Sequence, residues 1–329
     1  MIENPKKILF VRIGAIGDVM QTTEAYRAVK RVYPECVIHY LTGTIPSNLL
    51  SCDCDLDKVI TVDNISSKNF FSLAKQLREE KYDVVVCLKS SLKLWLFASL
   101  LGAKNVLHYN ADADLHIVYN YFQTVGEKIK GLEFKNELTL TVPDEVKSGV
   151  KLAVPTEKKF VVLSTEVGAL CEGKKWRREY FRELAEKIVD KYDVSVILTG
   201  TAEERELLSN FEGLDEVYDL AGRFNILESA ALYSFAEYVI AADSAPLYVA
   251  EAVKSPVCIG LYGASPVKRY GLSDEKNHSV ISHNLGCIPC GKKFCKLRNG
   301  AYSPCMDGIK PDDIMKILEE DNILPLKQK

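Results

Sequence analysis

Acidic side chains follow two apolar segments that lie far apart in the chain, and each stands where a strand would give way to a helix. Asp18 follows residues 8–13, and Asp243 follows residues 238–241. In a helix's first turn the helix dipole favours the ionised form of Asp18, and an ionised carboxylate can act as a general base. The two segments predict two nucleotide-fold halves, typical of an enzyme that holds one substrate in each half.

Two glycines, Gly14 and Gly17, flank the first of these turns. Glycine lets a ligand approach the backbone closely, so both are candidate acceptor-binding positions. Their spacing is not Gly-x-Gly-x-x-Gly, and a dinucleotide-binding fingerprint is therefore absent. A plain strand-to-helix turn, with Asp18 as an ordinary acid at a helix start, explains the local sequence equally well.

Groups suited to a phosphate occur in the second half. Ser164 and Thr165 follow a buried segment, and Lys174 precedes an amphipathic one. Hydroxyls and a lysine beyond a strand's carboxyl end suit a phosphate group, although a solvated basic loop is the simpler alternative. Ser244 is a good helix cap, and the free N–H groups of the turn that it opens predict a pyrophosphate site.

Four of the ten cysteines form a cluster near the C-terminus, at Cys287, Cys290, Cys295 and Cys305. The cluster could bind zinc, but its spacing fits no common zinc finger, and packed free thiols or a redox-labile pair are the alternatives. The five histidines have no metal-ligand spacing. We therefore predict neither a metal nor a cofactor.

Length and composition narrow the protein class. A chain of 329 residues is long enough for two ordinary domains, and a net charge of -3 does not favour a nucleic-acid binder. The longest apolar run, residues 94–101, is too short to cross a bilayer, and the N-terminus lacks the apolar stretch of a signal peptide. We expect a cytoplasmic protein.

Apolar runs alternate with amphipathic stretches in both halves, which predicts an α/β protein with two doubly wound parallel sheets. The predicted domains are 1–155 and 156–310, followed by a helix and tail, 311–329, that could pack back on the N-terminal domain. The predicted strands are 7–13, 37–41, 58–62, 83–88, 106–109, 160–164, 194–199, 238–241 and 257–262. The predicted helices are 18–32, 66–80, 91–101, 178–191, 202–210, 225–235, 246–253 and 311–319.

Taken in order, these segments resemble glycosyltransferase family 9, the bacterial heptosyltransferases. The similarity covers nearly the whole chain. It is carried by residues 8–34, Lys174-Lys175-Trp176 with Phe181, residues 220–227, Ala241-Ala242-Asp243-Ser244, residues 256–263 and the four clustered cysteines.

The resemblance implies a GT-B fold, in which two Rossmann-like domains face each other across a cleft. It also implies an inverting, metal-independent transfer of heptose from ADP-heptose to a lipopolysaccharide core acceptor. Asp18 then matches the general base, Lys174 a donor phosphate contact, and Glu204 a contact to the nucleotide ribose. Asp243, Ser244 and Ala245 match the start of the donor-binding helix.

Two residues depart from the family's Asp-[Ser/Thr]-Gly-x-x-His pattern. Ala245 replaces the glycine, and Tyr248 replaces the histidine, whose positive charge a tyrosine cannot carry although its hydroxyl can donate. These changes keep two alternatives open, namely a different donor and a non-catalytic family member. A nicotinamide-dependent oxidoreductase is a further alternative, which the missing glycine pattern disfavours.

The acceptor of such a family is anionic and carries a lipid. Lys89 and Lys93, near a strand end of the first half, could bind its phosphates or carboxylates, or could be ordinary solvated lysines. Because the sequence offers no anchor, any attachment to the cytoplasmic face of the inner membrane would be peripheral.

Overall fold

The computed structural model describes residues 1–66, 69–165, 167, 172–202, 211, 213–282, 285–292, 294–297 and 302–327. The chain divides into two compact units, Met1–Thr141 and Val142–Lys329. The division falls earlier in the chain than the domain boundary that we predicted between residues 155 and 156. It assigns the whole C-terminal helix and tail to the second unit.

The first unit is built on a parallel sheet with the strand order β3-β2-β1-β4-β5. The central strands are apolar and buried on both faces, as expected for a parallel sheet covered by helices. The strands are β1 (Lys7–Val11), β2 (Val37–Thr42), β3 (Lys58–Thr61), β4 (Val84–Cys87) and β5 (Asn105–His108). The helices are α1 (Ile16–Met20), α2 (Thr23–Val32), α3 (Thr44–Leu50), α4 (Phe70–Arg78), α5 (Leu92–Leu100) and α6 (Ile117–Gly126).

The second unit contains a parallel sheet with the order β11-β10-β9-β6-β7-β8. Its strands are β6 (Phe160–Ser164), β7 (Ser195–Thr199), β8 (Val217–Asp219), β9 (Tyr238–Ala242), β10 (Val257–Tyr262) and β11 (His278–Ile281). Its helices are α7 (Asp144–Ala153), α8 (Arg178–Lys191), α9 (Ile226–Tyr233), α10 (Ala245–Val253), α11 (Val267–Tyr270), α12 (Pro304–Asp307) and α13 (Pro311–Asp321).

The strand order of each sheet reverses at one place, between β1 and β4 in the first and between β6 and β9 in the second. In open α/β sheets, ligands bind outside the carboxyl ends of the strands at such a switch point. Asp18 follows β1, and Asp243 follows β9. The two acids that the sequence singles out therefore stand at the switch points of their own sheets.

Several elements differ from the predicted ones. The predicted helix 18–32 is broken into α1 and α2, and the Thr22 and Thr23 hydroxyls bond the carbonyls of Val19 and Met20 at the break. Such back-bonding by threonine competes with the helical ladder. The elements that lack a matching prediction are helices α3, α6, α7, α11 and α12 and strands β8 and β11. Residues 203–210 of the predicted helix 202–210 lie outside the described residues.

Helices α7 and α13 each pack against other elements of the second unit. Helix α7 packs on α9, so it belongs to the second unit although it precedes residue 156. Helix α13 packs on α8 and β11 of the same unit, with Ile314 and Leu318 fully buried. Both helices therefore belong to the second unit.

Candidate functional site

An ion pair occupies the loop that follows β1. Arg12 Nη2 lies 2.8 Å from Asp18 Oδ2. The arginine side chain is only 9% exposed, whereas the Asp18 side chain is 43% exposed. A buried cation thus holds one oxygen of a carboxylate that solvent and substrates can reach, which is the arrangement that a general base needs.

Gly14 makes room for this pair. A Cβ atom at position 14 would lie 3.3 Å from Asp18 Oδ2 and 3.4 Å from Arg12 Cζ. The glycine therefore lets the two side chains meet across the turn. The ligand approach that the sequence predicted for Gly14 stays a prediction, and Gly17 is buried within α1.

The ring of Tyr121 packs against the arginine of the ion pair. The Arg12 guanidinium carbon lies 5.7 Å from the ring centroid of Tyr121, which is buried in α6. At this distance the ring attracts the cation. Burial raises the pKa of Tyr121, so its phenol stays protonated and adds no second negative charge beside Asp18.

A second cluster joins three residues that are distant in sequence. Lys174 Nζ lies 2.6 Å from Asp243 Oδ2 and 3.1 Å from the Asp243 carbonyl oxygen. The Tyr248 hydroxyl donates a hydrogen bond to Asp243 Oδ1. Asp243 is buried, and both of its carboxylate oxygens are therefore engaged by donors, as a buried charge requires.

The hydroxyl of Tyr248 is not available to contact a nucleotide-sugar donor. The side chain is buried, and the hydroxyl lies within hydrogen-bond distance of the Tyr270 carbonyl as well as Asp243. Burial, and next the charge of Asp243, raise the pKa of Tyr248 well above its usual value. The phenol thus remains a hydrogen-bond donor to the carboxylate, and its influence on a ligand would pass through Asp243.

Helix α10 begins directly after this cluster. Ser244 is its N-cap residue, but the Ser244 hydroxyl bonds the Ala242 carbonyl and does not cap a helical N–H. The expected side-chain cap is therefore wrong. The first turn, which begins with Ala245 and Pro246, presents its N–H end beside the Lys174 ammonium, and both attract an anion.

The two hydroxyl residues at the carboxyl end of β6 have different surroundings. Ser164 is buried, and its Oγ atom has no hydrogen-bond partner among the described residues. Thr165 Oγ1 bonds the Thr199 carbonyl at 3.3 Å. Neither observation tests donor contact, which stays a prediction for both residues.

The remaining predicted residues are exposed or lie outside the described chain. Lys89 follows β4 and Lys93 lies in α5, and both are exposed in the first unit. Glu204 lies outside the described residues. Its ribose contact remains an expectation.

The clustered cysteines are free thiols in the structure. Cys287 is exposed, Cys290 and Cys295 are half-buried, and Cys305 is buried. Burial raises the pKa of Cys305. Within the described residues, no group of three or more His, Cys, Asp or Glu side chains is arranged to hold a metal ion.

A cavity of about 380 Å³ lies elsewhere in the second unit, between α7 and the start of α9. Its lining includes Gly149 and Arg223 but none of the predicted site residues. The described chain contains no helix whose length and apolar character would allow it to span a bilayer.

The sequence profile of glycosyltransferase family 9 (heptosyltransferase) matches residues 101–300, more than half of the chain. The chain belongs to glycosyltransferase family 9. This family 9 protein is 24% identical over 317 residues to lipooligosaccharide heptosyltransferase 2 of Campylobacter jejuni, with 93% of this chain and 95% of the relative covered. It is 23% identical over 361 residues to lipopolysaccharide heptosyltransferase 2 of Escherichia coli, with 98% and 99% covered.

Solved structures confirm the predicted fold class for this family 9 chain. The E. coli ADP-heptose heptosyltransferase II structure superposes with a TM-score of 0.77 and 19% identity, covering 95% of this chain and 98% of that one. A family 9 glycosyltransferase from Veillonella parvula gives 0.78 and 18%, with 96% of each chain covered. The architecture is GT-B, with two parallel α/β sheets.

Arg12 is a residue of the candidate site that the sequence analysis did not single out. It directly follows β1 and is itself buried. A charged residue inside the predicted buried strand 7–13 was a usable signal, because a buried arginine needs an anionic partner. Tyr121 could not have been found in the same way, since it lies in a region whose helix had no predicted counterpart.

Proposed function

We propose that this protein transfers a heptose from a nucleoside-diphosphate donor, ADP-heptose, to a lipopolysaccharide core acceptor. Family membership supports glycosyl transfer, and the names of the relatives support heptose as the sugar. The observation that carries the proposal is the exposed Asp18 carboxylate, held by buried Arg12 at the switch point of the first sheet.

The reaction is a single displacement with inversion. Asp18 accepts the proton of the acceptor hydroxyl, and the hydroxyl oxygen forms a bond to the anomeric carbon. The bond from that carbon to the phosphate oxygen breaks, and its electron pair leaves with the nucleoside diphosphate. Because Asp18 Oδ2 is engaged by Arg12, Oδ1 is the oxygen that takes the proton.

The leaving diphosphate gains negative charge as this bond breaks. In the second unit, Lys174 and the N-terminus of α10 supply positive charge next to each other. Positive groups that are already in place can stabilise the developing charge without rearranging. We therefore assign the leaving-group role to these protein groups, with no metal ion required.

The lysine is shared between two anions in this scheme. Lys174 pairs with Asp243, whose other carboxylate oxygen is fixed by Tyr248. Because Asp243 stays fixed by Tyr248, its carboxylate keeps Lys174 beside the helix end when a diphosphate arrives.

Asp18→Asn tests the base. We expect the transfer rate to fall by about 10²- to 10⁴-fold, because the amide cannot accept the proton. Donor affinity, measured by calorimetry with ADP-heptose, should not change, since Asp18 lies in the first unit. Asp144→Asn removes a fully exposed carboxylate in α7 and is the matched control. Transfer by Asp18→Asn within a few-fold of the unaltered protein would refute the assignment.

Three further measurements separate the alternatives. Transfer that persists in excess chelator supports the metal-free scheme. Transfer that is lost in chelator and restored by Mg²⁺ contradicts it.

A thermal-shift panel of nucleotide sugars and nicotinamide dinucleotides identifies the class of ligand that binds, because a ligand of the native state raises the unfolding midpoint. Donor binding without transfer to any core acceptor would instead support a non-catalytic member.

A further inference from the structure

Helix α5 is apolar on both of its faces. Leu94, Phe97 and Ala98 point inward and are buried in the core of the first unit. The outward positions are also mostly apolar, with exposed fractions of 75% for Leu92, 46% for Trp95, 47% for Leu96 and 38% for Leu100. A surface helix normally places polar residues on its outer face, so this contiguous exposed apolar surface needs a partner.

The charged residues in the segment that contains α5 all have one sign. Between Asp83 and Asp112 the sequence contains no acidic residue, whereas it contains Lys89, Lys93 and Lys104. All three lysines are exposed, and Lys93 lies on the outer face of α5 itself. Arg78 of helix α4 lies close to Gly102, just beyond the end of α5.

We propose that the outer face of α5, formed by Leu92, Trp95, Leu96 and Leu100, docks on the surface of an anionic lipid bilayer. This outer face combines leucine and tryptophan with a lysine. In the membrane interface, apolar side chains of this kind enter the acyl boundary and lysines meet lipid phosphates. The tryptophan side chain favours this boundary because its ring is apolar and its N–H is polar.

The charge pattern argues against a second copy of this chain as the occupant. A two-fold interface through this face would bring the lysines of both copies together. The face carries no carboxylate to pair with them, and like charges without partners disfavour association. An anionic bilayer supplies the missing negative charge and covers the apolar residues at the same time.

The proposal does not rest on the proposed reaction, and binding can be measured without turnover. The full chain is mixed with vesicles of phosphatidylcholine, or of phosphatidylcholine and phosphatidylglycerol in equal parts, and then sedimented. We expect the protein to partition onto the vesicles that contain phosphatidylglycerol, and less at high salt because exposed charges are screened.

Tryptophan fluorescence gives a local readout. The chain has two tryptophans, and Trp176 is buried in the second unit, so a change on vesicle addition reports on Trp95. We expect a blue shift of the emission and quenching by brominated lipid. A protein that stays in the supernatant with unchanged emission would overturn the proposal.

The double variant Leu92→Ser and Leu96→Ser tests the apolar contribution. Vesicle affinity should fall by at least about tenfold, because each leucine removed loses apolar area that the membrane would bury. Leu152→Ser is the matched control, since Leu152 is 90% exposed on α7 of the second unit. Thermal melts verify that all variants fold.

Lys93→Glu tests the charge contribution and should weaken binding only to the anionic vesicles. Equal vesicle affinity of the double leucine variant and the unaltered chain would refute this role for α5. A dimer in solution that becomes monomeric in the double variant would also overturn the proposal, in favour of a second copy. Loss of vesicle binding with transfer intact would leave the proposed function unaffected.

Discussion

Arg12 Nη2 lies 2.8 Å from Asp18 Oδ2, so the two residues join the end of β1 to the first turn of α1. The arginine is buried against the ring of Tyr121, whereas the carboxylate is partly exposed. Because the arginine cannot move without losing this packing, it fixes the direction in which the carboxylate points. We infer that Arg12 is a positioning residue for the base.

Arg12→Gln should therefore lower kcat without raising KM for the donor. We expect about a tenfold to hundredfold loss, because a misplaced general base loses most of its contribution. Steady-state kinetics with varied donor measure kcat and the donor KM separately.

Arg182→Gln is the control for this variant, since it removes an arginine that pairs with Glu186 on helix α8. A rise in donor KM with kcat unchanged in Arg12→Gln would show that Arg12 binds donor and does not position the base.

Gly14→Ala should slow transfer while leaving the fold intact. The new methyl group would lie 3.3 Å from Asp18 Oδ2, which is close enough to displace the carboxylate by a few tenths of an ångström. Gly149→Ala provides the comparison, because in the described part of the chain no atom beyond the neighbouring backbone of helix α7 lies within 4 Å of its Cβ position. That substitution should leave transfer unchanged and stabilise the protein by up to about 1 kcal/mol.

Transfer rates and unfolding midpoints of both glycine variants test these two expectations. If Gly14→Ala transfers at the normal rate, the position of the carboxylate does not depend on this glycine.

Tyr248→Phe should destabilise the protein by about 1–3 kcal/mol, because it leaves one oxygen of the buried Asp243 carboxylate without its hydrogen-bond donor. Affinity for the nucleotide-sugar donor should fall as well if Asp243 orients Lys174. Chemical denaturation and calorimetry with the donor measure the two effects separately.

Tyr33→Phe serves as control, since the Tyr33 hydroxyl bonds the Lys130 carbonyl at an exposed site in the first unit. Unchanged stability in Tyr248→Phe would mean that the hydroxyl contributes little to fixing Asp243.

Glu251 should make the stability of the protein depend on pH. Its side chain is buried in α10, where it accepts hydrogen bonds from the backbone N–H groups of Ser273 and Asp274. Burial raises the pKa of Glu251 to about 7. The folded state thus favours the neutral acid more than the unfolded state does.

The stabilisation linked to this proton is complete below the unfolded pKa of about 4.3, and it is lost as pH rises through about 7. The change is on the order of 3 kcal/mol. Glu251→Gln should lack this dependence, so its stability relative to the unaltered protein should increase between pH 5 and pH 8, values that lie on either side of the pKa of about 7. Parallel unfolding curves for the two proteins across this range would contradict the prediction.

The alternation of strands and helices followed from local sequence, since strands buried in a parallel sheet are short apolar runs. Strands β6 and β10 and helix α8 have the predicted bounds. Strand β8, with three half-buried residues, and strand β11, with one buried residue, lack such a run and had no predicted counterpart. Helices α6 and α7 were missed in a stretch where the pattern is weak.

The sequence by itself determined the family, the two-sheet fold and the choice of Asp18, Lys174 and Asp243, because each depends on residues close together in the chain. Tertiary structure alone decided that Lys174 pairs with Asp243 across 69 positions, and that Tyr248 is buried beneath them. It also decided that Arg12 holds Asp18 across a loop that only a glycine leaves open. The physical reason is that such contacts depend on strand order and on how loops fold over the sheet, and local patterns encode neither.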